Sequence, residues 1–292
     1  MIKIKKIFGA RYFFVMPAFI LFFVFFLYPF FNGFWLSLTK WDGFSMPHFI
    51  AAKNFIDFFY DNRALTAVKN TVIFAAFSAP LLNIVGLTYA LLLENQNIKG
   101  VKLVRILVYL PAIISPLIMG YIWNFIISTN GALPHLLDAI HLNNLVKDWL
   151  ADPHWAWAWI IGINVWQYSG MTMIIYLSAL QSIPNELYEA ADIDGAGYFR
   201  KLISIKLPNI MQAITINVIT NIIGSLAIFD AIVALTNGGP GYSTESLSLY
   251  ILRMVYGGST GYAVAVAMVM FFITLIPVLT YVILTKKKGL AI

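Results

Sequence analysis

Two groups of polar side chains lie inside long apolar stretches of this sequence, and their types suggest a site for a neutral, hydroxyl-rich ligand such as a sugar. Asn217, Asn221 and Ser225 recur every four residues and so share one face of a helix. Amides can bond to sugar hydroxyls, and rings such as Trp166 can pack on apolar sugar faces. The candidate substrate-binding residues are Asn164, Gln167, Tyr168, Asn221, Ser225, Phe229 and Asp230. The polar members could instead bond neighbouring helices to each other, at roughly 0.6–2 kcal/mol per contact.

Asp230 is the one acidic residue among these candidates, and it lies near the predicted outer end of its apolar stretch. Acidic side chains inside a membrane are the usual mark of ion-coupled transport or of a pore. Asp230 either lines a pore or is an interfacial or helix-packing carboxylate, and the residues alone leave both readings open. Because no relay of charged groups accompanies it, the energy for transport is expected to come from a partner.

Catalytic and metal-binding patterns are missing from the sequence. It has no cysteine, which excludes disulfides, thiolate metal sites and cysteine nucleophiles. The four histidines are not spaced from each other or from carboxylates as metal ligands would be. No phosphate-binding G-x-x-x-x-G-K-[ST] loop occurs, and no Ser or Thr lies in a nucleophile motif. We expect a chain that is not an enzyme and binds no metal or cofactor itself.

Hydrophobicity predicts the elements that position these residues. Of the 292 residues, 60 % are hydrophobic and 11 % charged, whereas a soluble domain is about 25 % charged. Six charge-free stretches exceed 20 residues, and about 20 apolar residues cross a bilayer as a helix. We predict an all-α membrane protein with one domain, 1–292, and six transmembrane helices. They span about 12–38, 67–93, 104–127, 155–180, 208–235 and 260–285.

Lysine and arginine set the predicted orientation. With both termini in the cytoplasm, 13 of the 19 Lys and Arg residues lie on the cytoplasmic side, as the positive-inside rule favours. The net charge of +6 then reflects membrane topology and needs no nucleic-acid partner. This orientation places segment 181–207 in the cytoplasm. It places the tryptophan-rich run HWAWAWIIGINVW, residues 154–166, at the outer membrane interface, where Trp is a common anchor.

The predicted cytoplasmic segment contains YEAADIDGAG, residues 188–197, an acidic and glycine-ended run in a chain with few charges. Pro184 suits the start of a short helix that continues to about Asp192. Glycine at position 195 or 197 is expected to end this helix. A second short helix, 198–206, would then return the chain to the membrane.

The stretch EAADIDGAGYFRKLISIKLP resembles the EAA motif of permease subunits in binding-protein-dependent ABC importers. That motif reads E-A-A, three residues, G, nine residues and I-x-L-P. Every position is matched, by Glu189, Ala190, Ala191, Gly195, Ile205, Leu207 and Pro208. LTNGGPGYSTESL, KNT at 69–71 and GYAVA also resemble carbohydrate importers of the maltose, glycerol-phosphate and raffinose type.

The resemblance implies the type I permease fold of ABC importers and the ATP-driven import of a sugar or oligosaccharide. Two related permease subunits would form the path, each docked on one of two cytoplasmic ATPase subunits that carry ATP and Mg²⁺. An extracellular or periplasmic binding protein would deliver the sugar to this complex in the bacterial plasma membrane. The residues implied in ATPase docking are Glu189, Ala190, Ala191, Asp194 and Gly195.

The alternative function is that of an ion-coupled carrier or a phosphotransferase-type sugar carrier subunit. Either would require carboxylates inside the membrane, or a phosphorylatable His or Cys near the site. Asp230 is the one residue that meets this requirement in part. An assembly protein without transport activity would leave the EAA spacing unexplained, so the sequence favours the importer permease.

Overall fold

The computed structural model describes residues 14–95 and 98–287, and most of these residues are helical. Two short strands, β1 (Thr39–Lys40) and β2 (His48–Phe49), pair antiparallel. The helices are α1 (Phe14–Ser37), α2 (Lys53–Tyr60), α3 (Asn62–Leu93), α4 (Val101–Ile113), α5 (Pro116–Ile127), α6 (Ala132–Ala139), α7 (Pro153–Gln181), α8 (Asn185–Ile193), α9 (Tyr198–Asn209), α10 (Met211–Leu226), α11 (Asp230–Leu235), α12 (Leu247–Tyr256) and α13 (Thr260–Lys287). A 3-10 turn covers Asn143–Leu145, and π-helical turns lie within α1 and α9 at Phe23–Leu27 and Leu202–Lys206.

Several of these helices are long and apolar enough to cross a membrane. Among the described residues three qualify alone: Phe14–Ser37, Asn62–Leu93 and Thr260–Lys286. The number rises to five if each of two bent pairs forms one span, α4 with α5–α6 and α9 with α10. Helix α7 has 29 residues but fails on hydropathy, because polar residues such as Asn164 and Gln167 interrupt it. The predicted helical membrane protein is confirmed, whereas the count of six spans is not.

Two of the predicted transmembrane helices are broken. The helix expected over about 104–127 bends by 98° where α4 ends and α5 begins. Pro116 disfavours a helical backbone at Ser115, whose φ of −51° and ψ of 130° interrupt the helix. The helix expected over about 208–235 turns by 70° between α9 and α10, and it is interrupted again at 227–229. Helix prediction from hydropathy alone joined these pieces into continuous spans.

One compact unit contains the described residues up to Asp61 together with Ile251–Met270. In this unit the side-chain amide of Asn54 donates to the carbonyls of Ser37 and Thr39, at 2.7 and 2.9 Å. In the loop between β1 and β2, hydrogen bonds from the backbone amides of Ser45 and Phe44 lower the pKa of Asp42 to about 2. The loop is thus ordered by its own carboxylate, which stays ionised at neutral pH.

A second compact unit contains Asn62–Tyr250 and the described residues from Phe271 onward, and it holds two apolar clusters. The Phe74 cluster packs α3, α7 and α11 together and comprises Phe74, Ile127, Trp149, Ile160, Ile163, Ile228, Ala231, Ile232, Leu235 and Leu249. The Tyr176 cluster lies where α3 and α7 end and α10 begins, and it comprises Ala90, Met173, Tyr176, Leu177, Leu180, Ile183, Ile210 and Ala213. Burial of these side chains holds the helices that carry the candidate residues.

The tryptophan-rich run has a mixed role. Trp157 and Trp159 pack against the Phe74 cluster, and Trp157 Nε1 donates to the carbonyl of Ser243 at 3.1 Å. Trp155 and Trp166 remain 45 % and 43 % exposed. Two of the four tryptophans therefore stabilise the fold of the chain itself, and the anchoring role of the exposed pair stays a prediction.

Gly170 in α7 offers a test of helix packing. A Cβ atom at this position would lie 2.2 Å from the carbonyl oxygen of Val108 and 2.8 Å from Tyr109 Cα, both backbone atoms of α4. We expect Gly170→Ala to push the helices apart and to cost about 1–3 kcal/mol. The measurement is the thermal unfolding midpoint of the purified protein. Gly162→Ala, in the same helix with no atom within 4 Å, is the matched control. Equal midpoints for the two variants would contradict the close approach.

Candidate functional site

A cavity of about 390 Å³ lies in the second unit, between α7, α10 and the non-helical residues 227–229. Its walls contain all seven residues predicted to bind substrate: Asn164, Gln167, Tyr168, Asn221, Ser225, Phe229 and Asp230. This convergence agrees with the four-residue spacing along α10, which keeps its polar side chains on one face. The fold thus brings the candidates together, and their role in binding stays a prediction.

The interruption between α10 and α11 forms one wall of this cavity. Five consecutive residues, 227–231, line it, which one face of a regular helix would not allow. Phe229 adopts φ −144° and ψ −65°, and Asp230 then begins α11. Non-helical backbone at membrane depth is tolerated where it borders a cavity, because water or a ligand can satisfy its polar groups. Broken helices are for the same reason a common site of substrate binding in membrane transporters.

Two of the seven side chains have firm partners within the fold. Asn164 Oδ1 accepts a hydrogen bond from Ser78 Oγ at 2.8 Å, which links α7 to α3. Gln167 Nε2 donates at 3.1 Å to the carbonyl of Ile114, a group left without a helical partner where α4 ends. For these two residues the alternative role, bonding between helices, is therefore present in the structure.

Ser225 and Asp230 are polar candidates whose side chains have no hydrogen-bond partner among the described residues. Ser225 is 3 % exposed, and its Oγ has no hydrogen-bond partner in the described part of the chain. Nor does any described residue donate a hydrogen bond to the Asp230 carboxylate. Asn221 Nδ2 makes only a long contact of 3.3 Å with Thr172 Oγ1. An unsatisfied buried hydroxyl costs about 1–3 kcal/mol, and a polar ligand bonded to Ser225 would recover that cost.

The cavity wall contains polar residues beyond the seven candidates, and one ring suggested by the sequence lies outside it. Asn217, Thr172 and Thr220 also line the cavity, and Asn217 Nδ2 donates to the backbone carbonyl of Thr172 at 3.1 Å. The spacing of Asn217 from Asn221 was the signal that placed it here. Trp166, expected to pack on a sugar ring, does not line the cavity and instead packs edge-on against Trp123 at 5.5 Å.

Gly195 ends the short helix of segment 181–207, as predicted. Its φ of +69° lies in the left-handed region that favours glycine. The backbone amide of Ala196 then donates to the carbonyl of Ala191 at 2.8 Å, and the backbone amide of Gly195 donates to the backbone carbonyl of Asp192 at 3.1 Å. This pair of bonds is the Schellman arrangement, which satisfies the last carbonyls of α8. The glycine of the motif is therefore required by the backbone conformation.

Helix α8 has one packed side and one exposed side. Ala191 is 9 % exposed, so its side chain packs against the rest of the chain and is not accessible to a partner. Glu189, Ala190 and Asp194 are exposed, and the apolar Ile193 is 88 % exposed. The exposed side of α8 therefore carries carboxylates, a small alanine and one large apolar side chain.

The I-x-L-P end of the motif anchors α9. Ile205 and Leu207 pack against the Tyr176 cluster, which fixes the returning chain to α3 and α7. Lys206, between them, forms an ion pair with Glu94, a residue 112 positions away. Lys201 pairs with Asp192 of α8. Neither pair was predicted, and for Lys206 the sequence carries no signal for a contact across 112 positions.

The glycine-rich turn at 236–246 holds a buried ion pair. The Glu245 side chain is 1 % exposed and accepts two hydrogen bonds from Arg63, at 2.7 and 2.8 Å. The Arg63 guanidinium also lies 3.8 Å from the centre of the Tyr242 ring. A bidentate pair is directional, so it fixes the turn on the Arg63 end of α3.

Polar residues of the KNT stretch extend this attachment. Asn70 Nδ2 donates to the carbonyl of Glu245 at 3.1 Å, and Thr71 Oγ1 accepts from the amide of Leu247 at 2.8 Å. Two stretches that separately resemble the same family in sequence are thus in contact in the fold.

Residues 83–289 match the family described as "Binding-protein-dependent transport system inner membrane component". The chain belongs to this family. The matched range contains α8 and every lining residue of the cavity except Leu82.

Individual relatives of the permease extend over nearly its whole length. It is 34 % identical over 268 residues to the probable ABC transporter permease protein YurN of Bacillus subtilis, covering 90 % of this chain and 91 % of that protein. It is 31 % identical over 276 residues to the probable starch degradation products transport system permease protein AmyD of Thermoanaerobacterium thermosulfurigenes, covering 94 % and 93 %.

Two solved structures are similar to the permease. A bacterial ABC transporter involved in the import of the acidic polysaccharide alginate gives a TM-score of 0.83 at 26 % identity, covering 98 % of each chain. A bacterial alginate ABC transporter in complex with an alginate pentasaccharide-bound periplasmic protein gives 0.83 at 25 %, covering 98 % of this chain and 96 % of that one. The predicted fold is confirmed: this is a multi-pass membrane permease subunit, a transport component and not an enzyme. Transport in this family depends on a binding protein.

Proposed function

We propose that this permease forms half of the path through which an ATP-driven importer takes up a neutral sugar or oligosaccharide. The observation that carries the proposal is a cavity lined by Asn221, Asp230 and Ser225, whose hydroxyl has no partner among the described residues. The Phe229 ring lines the same cavity and can pack on the apolar face of a sugar. The names of the AmyD relative and of the alginate transporters support a carbohydrate as substrate.

Asp230 favours a neutral ligand over an acidic one. Of the described residues that line the cavity, it is the one with a formal charge at neutral pH. A carboxylate accepts hydrogen bonds from sugar hydroxyls, and it repels the carboxylate of a uronic acid at short range. The expected preference therefore differs from that of the alginate importer, which transports an acidic polysaccharide.

The partners in this proposal are a second, related permease subunit, a sugar-binding protein and two cytoplasmic ATPase subunits. ATP and Mg²⁺ would be bound by the ATPases, and this chain would bind no cofactor. Helix α8 would dock on one ATPase through Glu189, Ala190 and Asp194, with Ala191 and Gly195 setting its packing and its end. The exposed acidic side of α8 and its firm attachment through α9 support this assignment.

The docking helix adjoins the two helices that line the cavity. Helix α8 follows directly after α7, and α9 leads directly into α10. ATP-driven closure of the ATPases would displace α8 and shift α7 and α10 as rigid bodies. Movement of these two walls would open the cavity alternately to either side of the membrane.

Removal of the cavity's polar groups tests the proposed binding site. We expect Asn221→Ala combined with Ser225→Ala to raise the KM of uptake roughly tenfold, because two hydrogen bonds of about 0.5–1.5 kcal/mol are lost. The measurement is uptake of labelled neutral di- and trisaccharides and of one uronate disaccharide by proteoliposomes with the full transporter. Thr280→Ala is the control, since Thr280 Oγ1 bonds within its own helix to Ile276 at 2.7 Å. Normal uptake by the double variant would contradict the binding site, and preferred uptake of the uronate would contradict the neutral substrate.

A further inference from the structure

Lys206 is a buried cation at the point where segment 181–207 returns to the helical core. Its side chain is 7 % exposed, and it forms an ion pair with Glu94, whose side chain is 26 % exposed. Lysine is almost never buried without a partner, so this pair determines where the lysine lies. Glu94 directly follows α3, and Lys206 lies within α9. One contact therefore ties the end of α3 to the returning chain.

The same ammonium group also reaches α8. Lys206 Nζ lies 5.4 Å from the centre of the Tyr198 ring and 6.0 Å from that of Tyr188, within the range of cation–π attraction. Tyr188 belongs to α8, and its pKa is raised first by burial and then by the charge of Glu94. Lys206 thus contacts α8, the start of α9 and the end of α3 at once.

Arg105 holds the Glu94 side of this contact in place. Its Nε donates to the carbonyl of Leu93 at 3.0 Å, and its guanidinium also donates to the carbonyl of Glu94 at 3.3 Å. The last carbonyls of a helix have no partner within the helix, and a cation there is also favoured by the helix dipole. Arg105 therefore fixes the end of α3 and, with it, the backbone of Glu94.

The opposite end of α3 is attached just as firmly. The helix comprises 32 residues from Asn62 to Leu93 and so extends for roughly 45 Å. At its first turn Arg63 holds the buried Glu245 of the glycine-rich turn. Helix α3 therefore connects segment 181–207 to that turn as one rigid element with a polar contact at each end.

We propose that Lys206 and Glu94 are positioning residues for energy coupling, which transmit displacement of α8 to α3 and through α3 to the 236–246 turn. The inference rests on the proposed docking of α8 on an ATPase. It adds a second route beside the covalent connections of α8 and α9 to α7 and α10. It also gives the Lys206–Glu94 ion pair a role other than stability. Two apolar side chains in its place would often stabilise the fold equally well.

The test separates coupling from docking. Lys206→Met and Glu94→Gln remove the ion pair, and Glu94→Lys with Lys206→Glu reverses it. Lys201→Met is the matched control, because it breaks the Lys201–Asp192 pair of the same segment without touching α3. Each full transporter is reconstituted in proteoliposomes with its binding protein, and ATPase co-purification is measured first. The second measurement is the number of molecules imported per ATP hydrolysed, using the neutral oligosaccharide that the unmodified transporter takes up fastest.

We expect Lys206→Met and Glu94→Gln to retain the ATPase but to import about tenfold fewer molecules per ATP. Lys201→Met should stay near the unmodified ratio, and the reversed pair should recover part of it. An unchanged ratio in both single variants overturns the inference. Loss of ATPase binding in both, with Lys201→Met normal, also overturns it, because the pair would then hold the docking surface itself. Failure of the docking proposal looks different: Glu189→Lys would then still retain the ATPase.

Discussion

Glu189→Lys is expected to abolish ATP-driven uptake while the variant protein still folds and enters the membrane. Glu189 is exposed on α8, and no described residue forms a salt bridge with it. A lysine here would face the cationic side chains with which an ATPase subunit would meet an acidic helix. Like charges across an interface cost several kcal/mol, so we expect ATPase affinity to fall roughly 100-fold or more.

The measurement for Glu189→Lys is co-purification of the ATPase subunit with the tagged permease, together with uptake. Asp148→Lys is the matched control, because it makes the same charge change at an exposed residue of a segment predicted to lie on the other side of the membrane. Loss of the ATPase in both variants would indicate a general effect of charge. Full retention of the ATPase by Glu189→Lys would refute docking through this residue.

Arg63→Met is expected to produce the largest loss of stability. It leaves the Glu245 carboxylate, 1 % exposed, buried without its cation. Removing one partner of a buried ion pair costs roughly 3–5 kcal/mol, whereas Glu245→Gln keeps a neutral acceptor and should cost less. The 236–246 turn should then be held less firmly on α3, although the hydrogen bonds of Asn70 and Thr71 remain.

The measurement for Arg63→Met is the thermal unfolding midpoint of the purified permease, with protease sensitivity of the 236–246 turn as a local readout. Lys69→Met, an exposed cation on the same helix, is the control and should leave the midpoint unchanged. If Arg63→Met and Lys69→Met unfold at the same temperature, the ion pair does not stabilise the turn.

Local rules account for the features that the sequence made predictable. Gly195 was expected to end a helix because its neighbours are helical and glycine tolerates a positive φ. The polar face of α10 was expected from the four-residue spacing of its side chains. Both features depend on residues close in the sequence, and the structure agrees with both.

Features that depend on distant contacts could not be predicted in the same way. Hydropathy treats 227–229 as helical, because Ala, Ile and Phe contain no helix breaker, yet the chain is non-helical there. An acidic residue such as Glu245 would ordinarily be assigned to the surface, yet here it is buried in an ion pair with Arg63, 182 residues away. Glu94, the partner of Lys206, could not be predicted for the same reason.

The hydrogen bond from Gln167 to Ile114 determines which atom of the Gln167 side chain can bond to a ligand. Because the Gln167 nitrogen is engaged at 3.1 Å, its oxygen is the atom left to meet a ligand, and that oxygen can only accept. Asp230 likewise can only accept while ionised. These two groups therefore require hydrogen-bond donors from a ligand, whereas the Asn221 amide and the Ser225 hydroxyl of the same wall can also donate. A sugar supplies donors through its free hydroxyls, and a fully O-methylated analogue, which is also bulkier, supplies none. Recognition in this cavity would then depend on the hydroxyl hydrogens of the substrate as much as on its shape.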